Sequence, residues 1–200
     1  MKISVTQNGK PLANSKYNWD EKTKTFSTNE NDLVLDFSEC DGVTFNTGSD
    51  CTFKTGSDCT FKTGSCCTFN TGYGCTFKTG YGCTFKTGSD CTFNTDYGCT
   101  FNTGSDCTFK TGPDCTFKTG YGCTFNTGYG CTFNTGENCF VTRWDVKGCD
   151  EIIVSKTIKL NGSGIKGYTI IEEVKEVKEE TCNGTIVEVN GKKYKLLLQE

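Results

Sequence analysis

Between residues 43 and 138, apolar and polar positions recur on a fixed eight-residue cycle. Each unit reads Cys-Thr-Phe-(Lys/Asn)-Thr-Gly followed by two variable residues, and twelve such units follow one another. Threonine holds the second and fifth places and phenylalanine the third place of all twelve. Cysteine opens eleven, with Val43 in its place in the first. Aromatic and β-branched residues in strict alternation predict a short strand. The alternation sets cysteine, phenylalanine and the second threonine on one face, and the first threonine with lysine or asparagine on the other. The lysines decide which face is buried. A dry core rejects unpaired ammonium groups, so phenylalanine faces in and lysine faces out.

The last three places of each unit form a bend. Glycine stands sixth in eleven units and Asp96 in the other. Aspartate tolerates left-handed backbone comparatively well, so this exchange places a positive φ at the sixth position. The unit then ends in Ser-Asp, Pro-Asp or Tyr-Gly, with Cys66 and Glu137-Asn138 as local departures. All these endings suit turns.

An eight-residue strand-and-bend unit cannot bury its own apolar face and must stack on its neighbours. The expected fold is all-β: a β-solenoid with small β-rich caps. Two octads per coil would give a flattened solenoid of six coils, about 29 Å tall at the usual strand spacing. Phenylalanine would then meet phenylalanine at the centre, and cysteine would meet threonine near the bends. Three octads per coil would give a triangular solenoid, and Tyr73, Tyr97 and Tyr121, spaced 24 apart, would stack in it. The three-residue bend with its leading glycine favours two.

The flanks divide the chain into a β-rich N-terminal cap (1–32), the solenoid with its capping coils (33–146) and a C-terminal β module (147–200). In the first, strands over Lys2–Gln7 and Tyr17–Thr28 are separated by an Asn8-Gly9 turn signal. Leu33-Val34-Leu35-Asp36-Phe37 reads as a lead-in strand, with Leu35 and Phe37 in the cysteine and phenylalanine slots one octad early. Cys139 to Trp144 keeps the register but puts Phe140 and Trp144 where threonine and glycine stood, an apolar edge expected to meet the C-terminal module. Beyond it, Glu151–Val154, Thr157–Leu160 and Ile165–Ile171 read as strands, and Glu172–Glu180 as a helical turn or solvated linker. Thr185–Val189, Asn190-Gly191 and Lys192–Leu196 form the strongest hairpin signal in the chain.

Composition narrows the function. The chain has 21 basic and 24 acidic residues, no histidine and sixteen cysteines in 200 residues. Near-balanced charge implies no polyanion partner. Without histidine the commonest general base and metal ligand is missing, and the cysteines lack a base to activate them, so no enzyme is expected. The cysteines recur at an inward place that Val43 also fills, which suits reduced core thiols. Disulfides and metal ligation are the alternatives, although zinc sites favour paired ligands such as Cys-x2-Cys. No secretory signal or membrane span is apparent, so a reducing compartment, cytoplasmic or virion-associated, is expected.

The outward face presents the one candidate site, an array of Thr52, Lys54, Thr60, Lys62, Thr76, Lys78, Thr84, Lys86, Thr108, Lys110, Thr116 and Lys118. A threonine ladder resembles an ice-binding surface, and a lysine ladder could hold nucleic acid weakly. Both are secondary readings: half the second outward places carry a flexible cation, and the lysines alternate irregularly with asparagine along the chain. The Cys-Thr-Phe-Lys-Thr-Gly run, the entry Leu33–Ser38 and the exit Lys166–Ile171 resemble octad-repeat proteins of phages and large viruses. That resemblance implies a β-solenoid of viral origin and no catalytic residues. The expectation is a rigid, cofactor-free rod that spaces or presents its flanking modules. A protein partner would bind at those modules or at the rod's ends, with homo-oligomerisation as a variant.

Overall fold

The computed structural model describes residues 3–146, 152–153, 157–171, 186–189 and 192–195. The chain winds into a β-solenoid of about seven coils with two octads per coil. Consecutive octads alternate between two sheets. The first carries the strands around Phe53, Phe69, Phe85, Phe101, Phe117 and Phe133, and the second those around Phe45, Phe61, Phe77, Phe93, Phe109 and Phe125. Within each sheet the octad strands pair in parallel and in register at an offset of sixteen, as in Phe85↔Phe101 and Phe77↔Phe93.

The core is an aromatic double column. The octad phenylalanines are almost fully buried. Rings of one sheet stack in parallel at 4.7 to 5.1 Å. Rings of opposite sheets meet edge to face, as in Phe85–Phe93 at 5.2 Å and 76°. Both geometries lie in the favourable range for aromatic pairs. Phe85 thus makes two stacked and two edge contacts. Towards the bends, each cysteine packs beside the fifth-place threonine of the preceding octad, as Cys67 does with Thr63.

The bend differs from the sequence expectation. Positive φ falls on the eighth place in every octad, from Asp50 (57°) through Cys66 (57°) and Gly98 (66°) to Asn138 (57°), and never on the sixth. Glycine, aspartate and asparagine share the eighth place because each accepts the left-handed region. The sixth-place glycine answers a different demand, close approach between coils. A Cβ on Gly64 would lie 2.2 Å from Ser49 Oγ and 3.0 Å from Ser49 N, one coil below. At this corner the sixth-place N–H groups also donate to the carbonyl sixteen residues earlier, as Gly88 does to Gly72 at 3.0 Å. Asp96 shows the effect of a side chain here, since the Gly112 N–H bond to its carbonyl stretches to 3.4 Å.

Tyr73, Tyr97 and Tyr121 do not stack, because two octads per coil place Tyr97 at the opposite corner from the other two. Tyr97 stacks instead on Tyr81, sixteen residues away, at 5.1 Å.

Antiparallel strands close both ends of both sheets. Ser4–Gln7 and Lys10–Pro11 form a hairpin across Asn8 and Gly9, both at positive φ, and Ser4–Gln7 pairs with Leu33–Phe37. Asn18–Asp20 covers Thr25–Ser27, which already pairs in parallel with Thr44–Asn46. Leu33–Phe37 enters two residues out of the expected register. Leu35 takes the phenylalanine slot opposite Phe53, and Phe37 lies opposite Thr55. The cause is the connection Ser38–Gly42, which sets the offset at eighteen instead of sixteen. Because the shift is even, Leu33, Leu35 and Phe37 still point inward and are buried.

At the far end Phe140–Arg143 keeps the octad register, with Val141 on Phe125. Ile152–Ile153 then pairs antiparallel with it, so the expected edge meets the C-terminal segment at Phe140, whereas Trp144 turns back over Gly128 of the solenoid. Ile158–Leu160 and Tyr168–Ile170 extend the first sheet. The hairpin signal is matched by Ile186–Val189 pairing with Lys192–Lys195. Positions 190–191 and the Glu172–Glu180 segment lie outside the described residues.

Candidate functional site

The outward array divides between two opposite faces. Thr52, Lys54, Thr84, Lys86, Thr116 and Lys118 belong to the first sheet, and Thr60, Lys62, Thr76, Lys78, Thr108 and Lys110 to the second. All twelve side chains are exposed. The irregular order of lysine and asparagine along the chain becomes regular on the first sheet. There the column runs Lys54, Asn70, Lys86, Asn102, Lys118, Asn134, a strict alternation. Successive ammonium groups on that column stand two coils apart, about 10 Å at the usual strand spacing and so close to a Debye length. The second sheet lacks this pattern, since Lys62 lies directly beside Lys78. At the lower end of the first column Lys54 pairs loosely with Asp36 at 3.9 Å. The six lysines therefore form no single basic stripe, whereas the threonine columns beside them are unbroken on both faces.

Two further features carry individual side chains, and both escaped the octad reading. One is a row along a single corner: Tyr81, Tyr97, Pro113, Tyr129 and Trp144, with Tyr81, Tyr97 and Trp144 exposed. Trp144 is held there by its indole N–H, which donates to Thr111 O at 3.3 Å, and its ring covers Gly128. Reading the seventh place at a period of sixteen instead of eight would have revealed Tyr81, Tyr97, Pro113 and Tyr129, whereas Trp144 joins the row from a sixth place.

The other feature is Arg143 at the top of the solenoid. It occupies a fifth-place threonine slot, points inward and is only 8% exposed. Its guanidinium forms a two-pronged pair with Asp145, Nη2 to Oδ2 at 2.6 Å and Nε to Oδ1 at 3.0 Å. It also donates to the carbonyls of Ile165 at 2.7 Å and Gly162 at 3.1 Å. Paired hydrogen bonds of this kind compensate a desolvated cation. The bond from the Arg143 guanidinium holds the Asp145 carboxyl below its ordinary range. This cluster ties the last coil to the bend between Ile158–Leu160 and Tyr168–Ile170. The sequence did not single it out, since Asp145 and the two carbonyls come from separate bends.

Among the described residues the cysteines are free thiols, all buried except Cys66. Cys66 is exposed because it takes an eighth-place corner position. No helix among the described residues is long and apolar enough to cross a membrane. Compared with protein-family models, curated proteins and solved structures, the chain matches none of them.

Proposed function

We propose that this protein is a non-enzymatic structural rod that spaces or presents its terminal modules, as an accessory or attachment component of a virus particle. One observation carries this reading: the flat faces are uniform, and departures from them are concentrated at the ends. Along the rod the same five side chains repeat coil after coil, with only lysine or asparagine varying on the flat faces. The ends have their own hairpins, the buried Arg143–Asp145 pair, and exposed Ile165, Tyr168 and Ile170 at the C-terminal edge. A surface patch that combines apolar and polar groups in one place suits a specific partner better than a uniform ladder. Binding to ice through the unbroken threonine columns is the second reading, and thermal hysteresis of the purified protein tests it.

The main test is partner capture from the native source with immobilised protein. Charge substitutions at Tyr168 and Ile170 are expected to abolish capture, and Lys62→Asn with Lys78→Asn to leave it unchanged. Capture lost only in the lysine variant would place function on the flat faces and overturn the reading.

A further inference from the structure

The first sheet is guarded differently at its two edges. At the N-terminal end its last strand is Lys10–Pro11. A lysine, and a proline that lacks an N–H, are residues that keep an edge from pairing with other chains. At the C-terminal end the last strand among the described residues is Tyr168–Ile170, with neither a charge nor a proline.

That strand leaves both side chains and backbone open. Directly opposite residues of an antiparallel pair share a face, so Tyr168 and Ile170 lie on the same side as Leu160 and Ile158, which are buried in the core. They carry the apolar inner face beyond the core and remain 46% exposed each. Ile171 N–H donates to Thr157 O at 2.8 Å, and Asn161 N–H donates to Gly167 O at 3.2 Å. Odd-numbered residues therefore bond to the neighbouring strand, and the N–H and C=O groups of Tyr168 and Ile170 point out from the edge.

We infer that this edge pairs with the same edge of a second copy, joining two rods through one continuous sheet. The inference names the partner of the C-terminal edge within the rod reading proposed above, on which it rests. The strand is self-complementary. Antiparallel pairing about a two-fold axis at Thr169 sets Tyr168 of each copy opposite Ile170 of the other. Each such pair exchanges both of its N–H···O bonds and sets an aromatic beside a β-branched side chain on the inner face. A foreign strand would have to supply that match, whereas a second copy already contains it. The axis stands perpendicular to the sheet, so both second sheets fall on the same side of the junction.

Area and charge both permit the contact. Ile165, Tyr168, Ile170 and Ile171 are 39–61% exposed. At roughly 200 Å² for a large side chain, two copies bring about 800 Å² of open apolar surface to the junction. With the edge backbone this reaches the roughly 1,000 Å² at which specific interfaces begin, so the pair is reversible and depends on concentration. Lys159 lies beside Thr169 and would stand three strand spacings, about 14 Å, from its own copy, beyond a Debye length. The Lys10–Pro11 edges then lie at both far ends, so association stops at two copies.

Sedimentation velocity of the purified full-length chain, kept reduced and run over a concentration series, tests this. One chain per particle is expected at low concentration and two at high concentration. Ile170→Pro removes an outward N–H without costing a bond inside the chain, a place where edge strands accept proline. It should raise the concentration of half-association by about tenfold or more. Thr169→Cys reads the register, because residues opposite each other in a non-hydrogen-bonded pair have Cα atoms about 4.5 Å apart, within disulfide reach. Mild oxidation should join position 169 of one copy to position 169 of the other, as mapped by mass spectrometry of peptides. A parent chain that stays single at the highest concentration, assembly beyond two copies, an unshifted Ile170→Pro or a missing 169–169 link would overturn the inference. A single chain that still captures another protein through Tyr168 and Ile170 would overturn this inference alone and leave the rod reading in place.

Discussion

Exchanging alanine for glycine at two places of the same bend separates close coil packing from backbone conformation. At Gly88, a sixth-place residue of ordinary φ, an added Cβ would lie 2.9 Å from Tyr73 N, 3.0 Å from Tyr73 Cα and 3.1 Å from Gly72 C. All three atoms are backbone, so relief requires the coils to move apart. Two coil-to-coil bonds would lengthen with that movement, Gly88 N to Gly72 O at 3.0 Å and Gly104 N to Gly88 O at 3.1 Å. Overpacking of this kind costs about 1–3 kcal/mol, and weakening two hydrogen bonds adds about 1 kcal/mol each. Gly88→Ala should therefore destabilise by about 3–5 kcal/mol. At Gly98, an eighth-place residue with φ +66°, the added Cβ meets nothing within 4 Å. Only the left-handed backbone penalises alanine there, by about 1–2 kcal/mol. Gly98→Asn should be nearly neutral, since Asp90 and Asp106 hold the same place at 59° and 55°. Urea unfolding under reducing conditions, followed by circular dichroism, measures all three variants. A larger loss for Gly98→Ala than for Gly88→Ala would refute the assignment of the two corners.

Three other outcomes follow from the packing. Phe85→Ala removes a buried ring with four aromatic contacts and should lower unfolding stability by about 4 kcal/mol, whereas Phe140→Ala, at a partly exposed edge, should lose under half of that in the same titration. Asp96→Gly should raise unfolding stability by about 1 kcal/mol, with the Gly112 N–H bond returning from 3.4 Å towards the 3.0–3.1 Å of its neighbours. Asp145 has a depressed carboxyl, so its stabilising share is fully present above the unfolded value of about 4 and is lost as pH falls through the lower folded value. Acid titration of unfolding midpoints should show that loss in the parent and not in Asp145→Asn, which should itself be about 3 kcal/mol weaker at neutral pH because Arg143 is left buried without its carboxylate.

The octad made the strand, its buried face and the stacked architecture legible, because one lysine at an alternating position settles the orientation of every residue around it. The corner was legible too, but its first clue misled. A single Asp96 at the sixth place has two explanations, backbone tolerance or a tolerated crowding, and the structure supports the second. The better signal stood two places on, where Gly, Asp or Asn fills eleven of twelve eighth positions. The 24-residue spacing of Tyr73, Tyr97 and Tyr121 pointed to a triangular coil that the fold does not adopt. The entry strand was misplaced by two residues because Ser38–Gly42 belongs to no octad. Arg143 was unreadable for a physical reason. An inward arginine is acceptable only with its partners, and those partners come from bends whose positions depend on the folded module.

The uniform core raises a question of register. Sliding one strand past another by sixteen residues sets phenylalanine on phenylalanine and cysteine on cysteine again, so the aromatic column cannot tell one coil from the next. Distinctions must come from elsewhere. The eighteen-residue offset at Leu33–Phe37 fixes the bottom, and Arg143 fixes the top by requiring Asp145 and the carbonyls of Gly162 and Ile165. Between them, the first sheet carries a weaker device. Native pairing of octad with octad sets lysine beside asparagine, whereas skipping one coil would set Lys54 on Lys86 and Lys86 on Lys118. Like charges directly opposite one another are destabilising by up to about 1 kcal/mol each. The second sheet, where Lys62 already neighbours Lys78, does not use it. The lysine–asparagine exchange therefore separates correct from skipped stacking on one face, while the irregular ends determine where the stack begins and stops.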